Sequence, residues 1–461
     1  MAAFLNNCRF IPTAGTTTDW VYASTVGGCQ SPALAGAIDG RKYKFIAIST
    51  DLTQWEIAEG AYTAASGTFA RTTVLYNSSG SGTAAGQSGA GSKISFAAAP
   101  NVAIVGVKED LISIEEANAF TAAQMAQARA NIGLMKRNYL INGGMMVSQE
   151  NGATASSTTG YYPVDQWSYN SGLTTGVISA GQVASLTPGG SANRIRATVT
   201  TAQASAGTDI AYLEQRLEGV RVGDLLWGNA GAKTVTLQVG VRSPVSGTFE
   251  VQVVNNTFAS QVLGSFTIAA GEVNTDVVKS VTLTGVTTGT WTPDNIGRMY
   301  VRIFMVWGGV QTANLCATNG NVLELFDVGL YEGTTAPAFQ LPDLISELAA
   351  CRRYWRSSYV QGTQPGSATN TAAIRHFPEG STTFANMGHI LFDPPMRATP
   401  TVTLYAPGSG TAGKIRNMDA GTDLPGAIAD PEPTGFFAFV NSSSVTTATT
   451  LGFHFKADAR M

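Results

Sequence analysis

Between Thr175 and Gly333 the chain keeps returning to an alternation of apolar and polar residues: TGVISAG, RIRATVTT, TVTLQVGVRS, GTFEVQVVNN, DVVKSVTLTG, MYVRIFMVW and VLELFDVGLYEG. A period of two sends successive side chains to opposite faces of a strand, and a helix cannot bury that pattern. Turn-forming residues separate the stretches, so the region 137–342 reads as six to eight strands of a jelly-roll-like β-sandwich. No repeat of 20–50 residues is visible, which argues against a β-helix or a propeller. Charged residues make up 13% of the chain, about half the usual ~25%. That shortage, with abundant Thr, Val and Gly, fits turn-rich β-sheet and not a helical enzyme.

The flanking regions read the same way. Residues 1–108 contain the short strands DWVYAST, KYKFIAIS, QWEIAEGAY, FARTTVLY and KISFA, with a low-complexity loop over Asn77–Ser92. They form a small all-β domain. Residues 109–136 are a helical connector: Thr121 is its N-cap, Gln124 completes a capping box, alanines follow, and Gly133 ends it. Leu111, Ile114 and Ala117 share a face, but the pattern stops too soon for a coiled coil. Residues 343–461 open with the helix LPDLISELAACRRYWRS, with Leu344, Leu348 and Cys351 on one face, and continue as a β domain. The expected fold is mainly β throughout.

The net charge of −3 gives no electrostatic case for nucleic acid or an anionic membrane. No run of about 18 apolar residues is present, and MAAFLNNCRF does not have the form of a secretory signal. Synthesis and assembly in a cytoplasm are expected. Cys8, Cys29, Cys316 and Cys351 are scattered and read as free thiols, with a Cys8–Cys29 contact as the alternative. His376, His389 and His454 are too far apart to read as a metal site, and no cofactor motif is present. Glu214 with Glu218, or Asp165, could supply a glycosidase carboxylate pair; a place near the surface of a turn-rich strand is the preferred reading for Glu214 and Glu218, and no enzyme activity is expected.

Two stretches resemble tailed-bacteriophage tail fibre and spike proteins, a receptor-binding family. QWEIAEGAYTAASGTFARTTVLY followed by KISFAAAPNVAIV is similar to a domain that docks a fibre onto a virion. Trp55, Glu56, Tyr62, Arg71, Thr72, Thr73, Val74 and Phe96 carry the match, and the family has Gly at the place of Ala58. Without that resemblance, Arg71 and Glu56 read as a surface pair. NYLINGGMMVSQENG followed by GYYPVDQW resembles the opening of that family's carbohydrate-binding-module-like domain, through Asn138, Asn142, Gly143, Gln149, Tyr162, Asp165 and Trp167. Tyr212, Glu214, Gln215, Arg216, Arg242, Glu347, Cys351, Arg353 and Tyr354 continue the match. The family often has Trp and Arg at the places of Ser148 and Glu150, and it often closes with Ala-Asp-Ala-Glu-Leu where this chain has Ala-Asp-Ala-Arg460-Met461.

The resemblance implies a virion appendage, and no nucleic-acid partner or membrane insertion is expected. It implies a homotrimer, attached to other virion structural proteins through the N-terminal domain and binding host surface polysaccharide. Rings stack on pyranose faces while polar side chains bond the hydroxyls. Tyr169, Trp227, Arg242, Trp291 and Trp307 are the expected carbohydrate-binding residues, with core packing the alternative for each aromatic, and Trp167 is expected in the core. A polysaccharide-degrading spike and a purely architectural collar or decoration protein are the rival functions.

Overall fold

The computed structural model describes residues 4–79, 92–107, 137–377, 382–445 and 449–461. The chain is mainly β and divides into two compact units, Met1–Gly133 and Leu134–Met461. The expected connector at 109–136 and most of the low-complexity stretch after Asn77 lie outside the described residues.

In the first unit the strands are β1 (Arg9–Pro12), β2 (Trp20–Thr25), β3 (Lys42–Ile48), β4 (Trp55–Thr63), β5 (Thr68–Phe69), β6 (Thr73–Asn77) and β7 (Asn101–Ile104). Their order is β3-β7-β1-β2-β5-β4-β6, and β3 also pairs with β4, so six strands close into a ring. Closure removes the exposed edges that an open sheet of this size would carry. Phe10, Trp20, Tyr43, Phe45 and Phe69 fill the interior.

Alternation along β4 turns Glu56, Ala58, Gly60 and Tyr62 inward. A carboxylate sent into a core needs a partner, and Arg71 supplies it: Nε donates to Glu56 Oε1 at 2.8 Å and Nη2 to Oε2 at 2.5 Å. Both side chains are fully buried, so the pair is internal and not on the surface. KISFA is not a strand. Ile94 and Phe96 do enter the core, but the backbone of Ile94 is held by Glu56 and Arg71, and Phe96 N donates to Gly15 O. FARTTVLY likewise splits into β5 and β6.

Gly60 is required by space. A Cβ there would stand 1.6 Å from the carbonyl oxygen of Ala70. Gly60→Ala is expected to destabilise this unit by about 1–3 kcal/mol, the usual cost of forcing atoms into a packed interior. Urea unfolding checks this, and an unchanged midpoint would contradict it.

The second unit begins with β8 (Tyr161–Val164), β9 (Trp167–Gly172), β10 (Val177–Ala184), β11 (Asn193–Thr201), β12 (Ile210–Glu218), β13 (Val235–Arg242), β14 (Gly247–Asn255), β15 (Gln261–Ile268), β16 (Val277–Leu283), β17 (Gly297–Trp307) and β18 (Val322–Glu332). They form a five-stranded sheet, β10-β11-β18-β13-β16, and a six-stranded sheet, β15-β14-β17-β12-β9-β8. Trp167, Leu213, Leu237, Val251, Ile303 and Leu325 belong to their shared core. Trp167 is 0% exposed, in the core as expected.

The motif residues before β8 act on the backbone. Asn138 Oδ1 accepts from Leu140 N and Leu330 N, both at 3.0 Å. Asn142, at φ 55°, donates to the carbonyls of Val147 and Asp165. Gln215 brackets Ile141, accepting from its N–H and donating to its carbonyl. Asp165 accepts from both Gln149 nitrogens, and burial pushes its carboxyl up to about 6. These residues seat the segment against the sandwich.

The remainder comprises the helix Leu344–Arg352 and β19 (Trp355–Ser357), β20 (Ile374–His376), β21 (Thr382–Leu391), β22 (Thr401–Tyr405), β23 (Lys414–Asn417), β24 (Thr422–Glu432), β25 (Gly435–Val445) and β26 (Leu451–Asp458). Strand β26 pairs with β19, β20, β22 and β23 and organises a second core around Phe436 and Phe453. A small cluster of Ile141, Val147, Cys351 and Tyr354, with Leu348 and Met461 against it, lies where this part meets the segment before β8. Leu344 does not share that burial: it is 53% exposed, while Asp343 caps the helix through Ser346 N.

His454 is buried between Ser358 and Thr369. Its Nε2 donates to the Thr369 carbonyl at 3.0 Å, which leaves Nδ1 to accept from the Ser358 hydroxyl. Among the described residues no three His, Cys, Asp or Glu side chains are grouped to hold a metal ion. Cys8, Cys316 and Cys351 are buried free thiols and Cys29 is half-buried.

Candidate functional site

The six-stranded sheet has two unlike faces. On β12, β17 and β14 the inward positions Leu213, Leu217, Val301, Ile303, Val251 and Val253 fill the sandwich core. The outward positions are aromatic, charged or amide-bearing. Strand register lines them up across the sheet: Tyr212 lies opposite Phe304 and Asn170, Glu214 opposite Arg302 and Ser168, and Arg216 opposite Tyr300. Gln252 stands on the far side of Arg302.

Trp307 joins this face through a β-bulge. The ladder between β12 and β17 slips at Ala211/Tyr212, so that Ala211 pairs with Val306 and Tyr212 with Phe304. Met305 and Val306 are both buried in the core as a result. The bulge re-aims the next residue, and the Trp307 ring lies 4.2 Å from that of Phe304, which in turn is 5.3 Å from Tyr212. Three adjoining rings result, with Tyr212 and Trp307 half-buried.

A polar chain runs beside the rings. Arg216 Nε and Arg302 Nε each donate to a different oxygen of Glu214, both at 2.6 Å. Arg302 Nη1 continues to Gln252 Oε1 at 3.2 Å, and Gln252 donates to Gln261. The guanidinium of Arg302 stacks over Tyr212 at 4.6 Å and Phe258 at 4.9 Å, and that of Arg216 over Tyr300 at 4.7 Å. These contacts fix the ring and guanidinium orientations. Burial works to lower the Arg216 pKa, but the Glu214 charge and hydrogen bond outweigh it, so the pKa is raised. Glu250, outward on β14, has its carboxyl raised by burial.

The expected site residues are not brought together. Tyr169 is 1% exposed because it shares the inward alternation of Trp167 and lies opposite Leu213. Trp227 and Trp291 are 3% and 8% exposed; their rings pack edge to face at 5.0 Å, and each indole N–H is tied to a backbone carbonyl, Lys233 and Thr288 respectively. These three rings are core, with no open face for a sugar. Arg242 is exposed, but it ends β13 in the other sheet, 3.7 Å from Asp276. Trp307 alone of the five lies on the aromatic face.

Glu214 and Glu218 are also not near the surface. Both are buried: Glu214 is shared by two arginines, and Glu218 accepts two bonds from Arg353 at 3.0 and 2.9 Å. Tyr212, Arg302, Phe304 and Gln252, which share the outer face with Trp307, are not among the residues expected from the sequence. The available signal was the outward series Tyr212-x-Glu214-x-Arg216 and Tyr300-x-Arg302-x-Phe304, where an ordinary solvent face would carry Ser, Thr or Lys.

No family model matches this chain, and no curated protein matches it. Among solved structures it is similar to the enzymatically active domain of tailspike protein 4 of bacteriophage CBA120, at 10% identity and a TM-score of 0.26, over 42% of this chain and 21% of that one. It is also similar to TmCBM61 in complex with beta-1,4-galactotriose, at 12% identity and a TM-score of 0.24, over 43% and 99% of the two chains. The third is a family 11 carbohydrate-binding module of a cellulosomal cellulase of Clostridium thermocellum, at 10% identity and a TM-score of 0.22, over 40% and 97%. Matches at these scores assign neither a family nor an activity.

Proposed function

We propose that the outward face of the six-stranded sheet binds carbohydrate. The observation that carries this is the half-buried pair of rings Tyr212 and Trp307, joined by the buried Phe304, beside the hydrogen-bonding chain of Arg216, Glu214, Arg302 and Gln252. Rings supply the apolar platform for a pyranose, and fixed polar groups alongside select its hydroxyls. The sugar is bound and not cleaved: Glu214 and Glu218, the pair weighed for hydrolysis, are both held by arginine. In this reading the chain is a homotrimeric subunit of a tailed-phage fibre or spike, attached to the particle through its N-terminal domain and assembled in the host cytoplasm. The similarity of Trp55–Phe96 and of Asn138–Trp167 to that family supports the virion assignment.

The test is glycan-array binding by the full chain and by single variants. Tyr212→Ala and Trp307→Ala are each expected to weaken binding about tenfold or more, the range for truncating an aromatic contact. Arg242→Ala, on the other sheet, is expected to leave it unchanged. Loss with Arg242→Ala, or none with the other two, would count against this face.

A further inference from the structure

We infer that the face recognises an acidic glycan, with Arg216 receiving the carboxylate of a uronic-acid residue; this rests on the carbohydrate-binding reading above. The argument begins with the donors of the two arginines. A guanidinium has five N–H donors. Arg216 spends one of them, Nε, on Glu214, and among the described residues no acceptor takes either of its terminal nitrogens. Arg302 spends Nε on Glu214 and Nη1 on Gln252, and its Nη2 has no acceptor among the described residues. One buried carboxylate is therefore shared by two guanidinium groups, and each keeps terminal N–H donors that no acceptor takes among the described residues.

The second observation is which of the two guanidinium groups is accessible. The side chain of Arg216 is 35% exposed, against 12% for Arg302 and none for Glu214, so Arg216 is the accessible member. Its Nε bond to Glu214 and its stack on Tyr300 hold the guanidinium plane in place, and both Nη atoms remain available. Paired terminal N–H groups match the two oxygens of a carboxylate. The other acid on the face, Glu250, lies four residues before Val254, which is opposite Tyr300. At ~3.3 Å per residue that is about 13 Å along the strand, too far to neutralise Arg216 directly.

The neighbouring cation strengthens the assignment by contrast. Arg460 stacks on Tyr162 at 4.0 Å, but it is already matched by Asp458 and Glu150 at 2.6 and 2.7 Å. Arg216 has no second carboxylate. Arg216 lies four residues beyond Tyr212 on β12, about 13 Å at ~3.3 Å per residue, so the uronic-acid residue at Arg216 is a different ring of the oligosaccharide from the one packed beside Tyr212 and Trp307.

The experiment presents the full chain with oligogalacturonate, oligomannuronate and glucuronate-containing oligosaccharides, each beside its carboxyl-reduced neutral counterpart. Binding to at least one acidic member, at least tenfold tighter than to its reduced form, is expected. Arg216→Gln should abolish that preference, weakening the acidic form at least tenfold more than the reduced form, and Arg216→Lys should restore part of it. The preference should fall as salt is raised from 50 to 500 mM. Thermal unfolding of Arg216→Gln guards against a folding defect, and Arg216→Met supplies a second variant if it fails to fold. Equal binding of acidic and reduced forms, with loss on Tyr212→Ala, overturns the acidic assignment and keeps the carbohydrate face. Acidic preference that survives in Arg216→Gln and Arg216→Met also overturns it. Binding of no member, neutral or acidic, overturns both.

Discussion

Glu56→Ala is expected to destabilise the N-terminal barrel by about 3–5 kcal/mol, the cost of leaving a buried charge without its partner. Arg71 has all five N–H donors engaged: two on Glu56, two on the carbonyls of Thr16 and Thr18, and one on that of Ile94. Its guanidinium also lies 4.1 Å from the Trp20 ring. Removing Glu56 strands the cation and releases Ile94 N, which donates to Glu56 at 2.7 Å. For a domain of roughly this size the loss corresponds to a fall in Tm of tens of degrees, against a total stability of about 5–15 kcal/mol. Glu56→Gln should cost less, because the amide oxygen still accepts. Hydrogen exchange of residues 4–107 in the full chain reads the effect locally. Protection in Glu56→Ala equal to that of the parent chain would show that the pair is not required.

Reversing Arg460 should be nearly as damaging to the second unit. Arg460 bonds Asp458 through Nε and Nη2 and Glu150 through Nη1, and it stacks on Tyr162. R460E would place three carboxylates together and remove the tie between β26 and the segment before β8. Because the partners retain 14–28% exposure, water screens part of the charge, and about 2–4 kcal/mol is expected. E150R combined with R460E should recover part of that loss. A double-mutant cycle in urea is expected to give a coupling of about 0.5–3 kcal/mol, and a coupling of zero would contradict the tie. The pair has a bearing on the family resemblance too: Arg at the first place and Glu at the second is the same ion pair with its signs exchanged.

Local pattern made most of the strands legible. The period of two located β3, β4, β13, β14, β17 and β18, because alternation is a property of neighbouring residues. What was not legible depends on distant partners or on a slip of register. Glu214 reads as a solvated acid until Arg302, 88 residues away, is seen beside it, and Glu218 until Arg353, 135 residues away, is. Glu150 and Arg460 each stood out as a departure from the resembling family, and only the fold, bringing residues 310 apart into contact, makes them one feature. Ring chemistry alone points to Tyr169, Trp227 and Trp291 as sugar contacts, but inward alternation and backbone-bonded indoles decide their burial. Trp307 faces outward only because the bulge at Met305–Val306 shifts the alternation by one, and single-residue bulges leave no mark in a hydrophobic pattern.

The most direct test of the carbohydrate-binding face is hydrogen–deuterium exchange of the full chain with and without a bound oligosaccharide found on the array. New protection is expected in β12 and β17, over Ile210–Glu218 and Gly297–Trp307, with none in the five-stranded sheet. Protection confined to β13 and β16, or to the barrel, would contradict the account.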